Sequence, residues 1–361
     1  MLSPSLQSIG GVQSYTRMLA SALEEILGAG CVRLLTVGAE SQPRRDGSVA
    51  LKTSVKLRFA VHAFSTAIVW RPELVIATHI GVAPVARLIK KYTKIPYWLV
   101  LHGIEVWGKL PPVKGHALRG AAKYVALSRF SLDATVVRHA LDKPAAVLLP
   151  PPLAIREQPG SSDSGSSHMA APVVLTVGRL AAAERYKGHD IMLEAWPAVL
   201  SRVPSAQYWI VGDGDDRARL ESRAQDLGVA GSVRFAGALS GDRLSEAYQR
   251  CSIFAMPART ELQGDTTQGE GFGIVFLEAM AQGKPVVGPR NGAPAEFIRS
   301  GEHGLLVDPS DRAEIAEAII RLLEDPERRR RMGENARKWV AREFTRENFV
   351  ARLRQALVQE G

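Results

Sequence analysis

The chain has 361 residues, 46 % hydrophobic and 23 % charged, an ordinary balance for a soluble globular protein and a length that favours two domains over one. No run of about 18 apolar residues and no basic leader followed by an apolar stretch is visible, which argues against a membrane span and a secretory signal. The net charge of +9 is uneven: residues 1–155 hold 19 Lys+Arg against 8 Asp+Glu, residues 156–361 hold 27 against 29. The first half is therefore expected to meet something anionic, whether nucleic acid, a membrane surface or a phosphorylated substrate, unless it is simply a solvated basic face. Cys31 and Cys251 form no CxxC pair and no metal spacing, so two buried free thiols in a reducing, cytoplasmic setting are expected.

In chain order, the first half reads as alternating α and β. "VQSYTRMLASALEEIL" is helical, and "CVRLLTVG" is a strand. "PELVIATH" and "PYWLVLHG" are strands that each end at a histidine, His79 and His102. "AKYVALS" is a further strand and "RFSLDATVVRH" a helix. A junction follows in "LLPPPLAIREQPGSSDSGSSHMAAP", prolines first and then Ser/Gly, which predicts a linker over 156–171. Its "GSSHM" looks like an expression-tag scar and carries no functional argument.

The second half is clearer. Strands are predicted at "VVLTVGRL", "AQYWIVGDG", "SVRFAG", "SIFAMPA", "KPVVG" and "GLLVDP". Helices are predicted from His189 to Arg202 and at "DRARLESRAQDLG", "DRLSEAYQRC" and "DRAEIAEAIIRLLED". Strict strand–helix alternation predicts a doubly wound parallel sheet. The fold class is thus α/β, with a domain over 1–155 and another over 172–343.

Such sheets bind ligands at the carboxyl ends of their strands. "GEGFGIVFLEA" follows a strand and opens a helix near Phe272 or Gly273, where unpaired N–H groups and the helix dipole suit phosphate. Glu278 lies about 8 Å further along at 1.5 Å per residue, close to the reach from a diphosphate to a ribose. A carboxylate accepts two hydroxyls well, so Glu278 can hold a ribose diol, and Glu270 the hydroxyls of a group beyond the diphosphate. A capping acid and a surface acid on an ordinary helix are the plain alternative. Arg179, just after a strand end, and Lys187, in the loop "RYKGHD", supply cations at the same edge. "GDGDD" (Gly212–Asp216) reads as a strand-to-helix turn with N-cap aspartates, not a metal-binding acid pair.

These segments, "VGRL…KG", "VGDGDD", "FAG", "EGFGIVFLE", "GKPVVG" and "NGAPAEFI…GLLV", together resemble the retaining, nucleotide-sugar-dependent glycosyltransferases of family 4. The likeness extends to bacterial mannosyl-phosphoinositide synthase-type and cell-surface polysaccharide enzymes. It implies the GT-B plan, two Rossmann-like doubly wound domains facing across a cleft. It also implies that the C-terminal helix, 344–361, packs back on the first domain, which binds the acceptor.

Residue by residue, the resemblance gives Arg179 and Lys187 the diphosphate and the leaving nucleoside diphosphate. Glu270 takes the donor-sugar hydroxyls and Glu278 the ribose. The amides of Phe272, Gly273 and Ile274 meet phosphate and sugar, and the loop Gly237, Ala238, Leu239 frames the base. Gly10 and Gly11 match a glycine loop that approaches the donor phosphate. His102 matches a histidine near the transferred sugar, and His79 sits at another strand end. Without the family, either histidine is more simply structural. No metal and no other cofactor is expected, because the cations do the metal's work.

The partners implied are a nucleotide-sugar donor, GDP-mannose by preference, and a lipid-linked or glycan acceptor. An anionic membrane surface would be met by Arg87, Lys90, Lys91 and Lys94 at helical spacing, with Lys52, Lys56 and Arg58. Nucleic acid is not expected, since no binding module is seen. The family's first strand is represented here only by "MLSPSL". A nucleotide-sugar epimerase, a phosphorylase or a non-catalytic nucleotide- or glycan-binding protein would share the plan. The phosphorylase would need a pyridoxal lysine and the epimerase further acids.

Overall fold

A computed structural model of the chain describes residues 1–6, 10–38, 52–142, 145–153, 171–262 and 267–358. Apart from residue 171, the expected linker and its "GSSHM" lie outside the described residues. The chain divides into two compact units, Met1–Pro152 with Arg346–Gly361, and Leu153–Thr345.

The first unit runs β1 (Leu2–Ser3), α1 (Gly11–Leu27), β2 (Leu35–Thr36), α2 (Lys52–Trp70), β3 (Val75–Ala77), α3 (Ala83–Thr93), β4 (Tyr97–Leu101), α4 (Ile104–Trp107), α5 (Pro112–Arg119), β5 (Lys123–Ala126), α6 (Arg129–His139) and β6 (Ala146–Leu148). Its six strands are all parallel, in the order β2-β1-β3-β4-β5-β6. β4, "YWLVL", is apolar at every position because helices cover both faces, and all five residues are buried. β1 has only two residues yet is central: Leu2 pairs with both Leu35 and Ala77.

The second unit runs β7 (Val173–Val177), α7 (His189–Arg202), β8 (Gln207–Val211), α8 (Arg217–Asp226), β9 (Val233–Gly237), α9 (Gly241–Arg250), β10 (Ile253–Ala255), α10 (Ile274–Ala281), β11 (Val286–Pro289), β12 (Gly304–Val307), α11 (Arg312–Glu324) and α12 (Pro326–Glu343). The order β12-β11-β10-β7-β8-β9 is again all parallel, and each of the six strands read from the sequence is present. Its core joins Val174, Trp196, Tyr208, Ile253, Val287 and Ile319, with the Trp196 and Tyr208 rings 5.3 Å apart. A last helix, α13 (Arg346–Val358), belongs to the first unit. There Phe349 meets the Tyr15 ring edge-on at 6.0 Å, and Lys123 Nζ donates to the Ala356 carbonyl at 2.8 Å.

Both sheets reverse direction beside their first strand. In the first unit the chain crosses from β1 out to β2 and then back to β3 on β1's other side, so the switch point lies between β1 and β3. In the second it lies between β7 and β10. Ligands of doubly wound sheets bind beyond the strand ends at such points.

The backbones just beyond neighbouring strands β7 and β8 come very close. Gly212 has φ +145°, and a Cβ there would lie 1.8 Å from the Gly178 carbonyl oxygen. Gly212→Ala is expected to destabilise the second unit by about 3 kcal/mol or more, through backbone strain and overpacking together. Calorimetric melting would detect this, and an unchanged Tm would contradict it.

Two expectations are corrected here. Cys251 is buried, its thiol pushed up to about 12 by burial, but Cys31 is exposed. Lys90 does not belong to a solvated basic face. It is half-buried, its Nζ donating to the Gly120 carbonyl at 2.8 Å and lying over the Tyr97 ring. Lys91 and Lys94 remain exposed, as do Arg87, Lys56 and Arg58.

Candidate functional site

In the second unit, the residues after β7 and those after β10 meet. Arg179 stands two residues beyond β7, its side chain 77 % exposed, and pairs with Glu184. A short 3₁₀ helix, Ala182–Lys187, then presents Lys187, whose Nζ donates to Glu270 Oε1 at 2.6 Å and lies 3.8 Å from Glu184 Oε2. Glu270 comes from the loop after β10. Four alternating charges, Arg179–Glu184–Lys187–Glu270, thus cluster at the switch point between neighbouring strands β7 and β10.

α10 begins four residues after Glu270, at Ile274, with Gly273 as N-cap and no side chain capping it. Gly273 has φ +88°, and a Cβ would meet Phe276 and Pro294 at 3.0 Å, so only glycine leaves this turn relaxed. The Phe272 ring is buried against Phe297 at 5.2 Å, so what Phe272 can offer a ligand is backbone. Ile274 is the first helical residue, where amides lack intrahelical partners. Further along α10, Glu278 Oε2 accepts from Tyr248 Oη at 2.7 Å. Burial raises the Glu278 carboxyl above its ordinary value, and the Tyr248 hydroxyl opposes this.

Gly237 ends β9 at φ +71°, and Ala238, exposed, and Leu239 follow it beyond the same ends of the strands. Arg217 lies beside them, donating to Phe235 O at 3.4 Å and to Glu221 at 2.8 Å.

The aspartates of "GDGDD" behave differently from the N-caps expected. Asp216 occupies the N-cap position of α8, but its side chain makes no capping bond. It is buried between two arginines: Arg185 reaches Oδ1 at 2.6 Å and Arg219 reaches Oδ2 at 2.6 Å, while Arg219 also grips Asp190 with both Nη groups. The Arg219 and Arg185 guanidiniums hold the Asp216 carboxyl well below the usual carboxylate range. Asp215 Oδ1 accepts from Ala182 N at 2.8 Å. Both aspartates therefore fix the 182–187 segment that carries Glu184 and Lys187.

In the first unit, Gly10 is the N-cap of α1 in extended conformation and Gly11 its first residue, with no capping side chain. They follow β1, on one side of that sheet's switch point, and His79 follows β3 on the other. His102, one residue past β4, donates from Nε2 to the Thr78 carbonyl at 2.8 Å. Burial lowers its ring to about 4, against the opposing pull of that carbonyl, so the ring is neutral near pH 7. Glu105 Oε1 accepts from the His102 backbone N–H at 2.7 Å. Burial raises the Glu105 carboxyl and lowers the His79 ring.

Sequence reasoning missed Glu184, Arg217, Tyr248, Asp216 with its arginines, and Glu105. Glu184 had a signal, an acid set between two cations in one loop. Glu105 had another, the three-residue spacing from His102 that lets a side chain return to a helix-start N–H. Tyr248 had none, because only the packing of α9 brings it to α10.

Residues 162–339 match the family model described as glycosyl transferases group 1. The chain carries a glycosyl transferases group 1 domain. Within it fall Arg179, Lys187, Glu270 and Glu278. The chain is 36 % identical over 182 residues to a GDP-mannose-dependent α-(1-6)-phosphatidylinositol monomannoside mannosyltransferase of Mycobacterium tuberculosis, covering 50 % of this chain and 46 % of that protein. It is 36 % identical over 190 residues to the lipopolysaccharide core biosynthesis glycosyltransferase LpsE of Rhizobium meliloti, covering 53 % and 51 %. These alignments span about half the length of the curated relatives. Among solved structures, sucrose-phosphate synthase from Thermosynechococcus elongatus superposes with a TM-score of 0.79 at 21 % identity, over 99 % of this chain and 98 % of that one. HepE from Anabaena, solved with UDP and glucose, gives 0.75 at 19 % identity over 99 % of both. The group 1 domain and the unit before it therefore have the GT-B class of fold, two parallel-sheet α/β units.

Proposed function

We propose that this protein is a retaining glycosyltransferase that moves a hexose from a nucleoside-diphosphate sugar, GDP-mannose by preference, to a lipid-linked or glycan acceptor. The observation that carries the reading is the Lys187–Glu270 pair at the switch point of the second sheet, with Arg179 beside it and an uncapped helix start just beyond. Diphosphate entering here would compete with Glu184 and Glu270 for the two cations. An Arg fork and a Lys point charge then neutralise the leaving nucleoside diphosphate, which is the main contribution to rate.

Glu270, freed from Lys187, takes sugar hydroxyls. Glu278, oriented by Tyr248, takes the ribose, and the loop at Gly237–Leu239 frames the base. The amides of Phe272, Gly273 and Ile274 meet phosphate and sugar. The acceptor hydroxyl attacks the face the diphosphate leaves, and the leaving phosphate can take its proton. No metal or other cofactor is part of this scheme. The named mannosyltransferase relatives support the preference for GDP-mannose.

A peripheral place on an anionic cytoplasmic membrane face fits the same reading. On α2, Leu57, Val61 and Val69 are exposed beside Lys56 and Arg58. On α3, Leu88 and Tyr92 are exposed beside Arg87 and Lys91. The two helices are in contact, with Phe64 and Tyr92 rings 5.8 Å apart. Apolar and basic side chains on one surface suit an anionic leaflet. No helix among the described residues is long and apolar enough to cross a membrane.

Calorimetry with GDP and UDP tests the ribose site. Glu278→Ala is expected to weaken nucleotide binding at least tenfold, since hydrogen bonds to a charged group contribute about 1.5–3 kcal/mol. Tyr248→Phe, which removes the hydroxyl that donates to Glu278, is expected to weaken it less. Equal affinity for wild type and Glu278→Ala would remove the role from Glu278.

A further inference from the structure

His189, the first residue of α7, is 3 % exposed, and neither of its ring nitrogens has a hydrogen-bond partner among the described residues. Buried polar groups are normally paired, so two orphan nitrogens on one side chain call for a reason. The ring sits beside the cations that precede it in the chain. At Gly178, the residue between β7 and Arg179, a Cβ would lie 3.8 Å from His189 Nε2 and 3.1 Å from Lys187 Cδ. The imidazole and the Lys187 stem thus share one seat, against the backbone that leads into Arg179. That seat is rigid. Gly178 N–H donates to the Val211 carbonyl at 2.9 Å, and a Cβ on Gly188, the N-cap of α7 at φ +85°, would lie 2.5 Å from the Pro257 carbonyl oxygen.

Burial first, and the Lys187 charge next, lower the ring to about 4, so it is neutral near pH 7. The Arg179 backbone, Asp190 and Asp216 pull the other way. Both carboxylates are already engaged, Asp190 by Arg219 and Asp216 by Arg219 and Arg185. What keeps the proton off is therefore a dry seat beside a cation. A nucleoside-diphosphate sugar reverses that balance. It brings two negative charges to Arg179 and Lys187, which offsets the lysine's push and attracts a proton where the local dielectric is low. No hydrogen bond of the neutral ring has to break, because neither nitrogen makes one.

We propose that His189 is a third, proton-linked cation of the diphosphate site: binding of a nucleoside-diphosphate sugar at Arg179 and Lys187 draws a proton onto its ring. This rests on the glycosyltransferase reading above and deepens it, and every group it invokes belongs to the second unit.

The probes are GDP-mannose, UDP-glucose, UDP-galactose and UDP-N-acetylglucosamine. Both phosphates of such donors are esterified and hold their charge through the range tested, whereas the terminal phosphate of free GDP or UDP titrates near pH ~6. Calorimetry on the full chain, in two buffers of different ionisation enthalpy, counts the protons taken up on binding. For whichever donor binds, the wild type is expected to take up about half a proton or more at pH ~6 beyond His189→Gln or His189→Met, neither of which titrates there. The bound ring holds its proton more tightly than the free ring, so the gain in affinity is present below the bound value and lost as pH rises through it. Between about pH 7.5 and 5.5 the wild type is expected to gain about five- to tenfold in affinity relative to either variant. Glu278, whose carboxyl burial raises, contributes alike to all three proteins and cancels in the comparison. Slopes are compared, so a change of absolute affinity from repacking does not enter. Equal proton uptake by the wild type and both variants would overturn the inference and leave the glycosyltransferase reading standing. Were neither variant to fold, the wild type alone decides, and no net uptake at pH ~6 overturns it. If the wild type binds none of the four donors, that reading falls and this inference falls with it.

Discussion

Lys187→Ala is expected to lower kcat/KM for the nucleotide sugar by about 10²–10³, the range found when one preorganised group facing developing negative charge is removed. Two effects add. The diphosphate loses a cation that the 182–187 turn holds in place. Glu270, 2.6 Å from Lys187 in the wild type, becomes an uncompensated carboxylate facing the same anion. The second effect gives the control. Glu270→Gln in the Lys187→Ala background removes the unpaired charge and is expected to restore part of the nucleotide affinity while turnover stays low. Steady-state kinetics measured beside a melting curve separates loss of chemistry from loss of fold. A Lys187→Ala protein with wild-type kcat/KM would dismiss the diphosphate role of this pair.

Asp216→Asn is expected to lower the Tm of the second unit by about 5–10 °C at pH 7. The substitution keeps the shape and removes the charge that Arg185 and Arg219 bracket. Hydrogen bonds to a charged group contribute about 1.5–3 kcal/mol, and in a domain of this size each kcal/mol moves Tm by about 2–4 °C. The arginines are partly exposed, with side chains 48 % and 38 % accessible, which keeps the estimate below that for a fully buried network.

The pH dependence has a defined sign. The folded-state carboxyl is depressed, so its contribution is fully present above the unfolded value of about 3.9 and is lost as pH falls through the folded value. The gap between wild type and Asp216→Asn should therefore be constant from about pH 5 to 8 and narrow below about pH 4. A gap that widened on acidification would rule out an ionised Asp216 as its source. Because Asp216 and Asp215 hold the segment that carries Lys187, a fall in nucleotide affinity is expected alongside.

The second unit was the more legible of the two. Its strands are short β-branched runs stopped by glycine or proline, so every one of its strands and each helix except α12 was legible. The first unit was harder. α2 was read only as a basic stretch because its apolar residues do not fall on one face: Leu57, Val61 and Val69 are exposed while Phe59, Ala63 and Ala67 are buried. β1 and β2 have two residues each, too few for any period to show. α12 and β6 were not read at all.

The sequence alone determined the fold class and the places of the second unit's strand ends in the chain, because period-two and period-3.6 patterns and turn residues are local properties. Only tertiary structure decided the pairings. Glu184 between the cations, Tyr248 against Glu278, Asp216 among arginines instead of capping α8, and Lys90 drawn in to Gly120 all depend on which strand ends and helices lie side by side. That adjacency follows from the order in which strands insert into each sheet, and Lys187 and Glu270, 83 positions apart, become neighbours without any local trace of it in the chain.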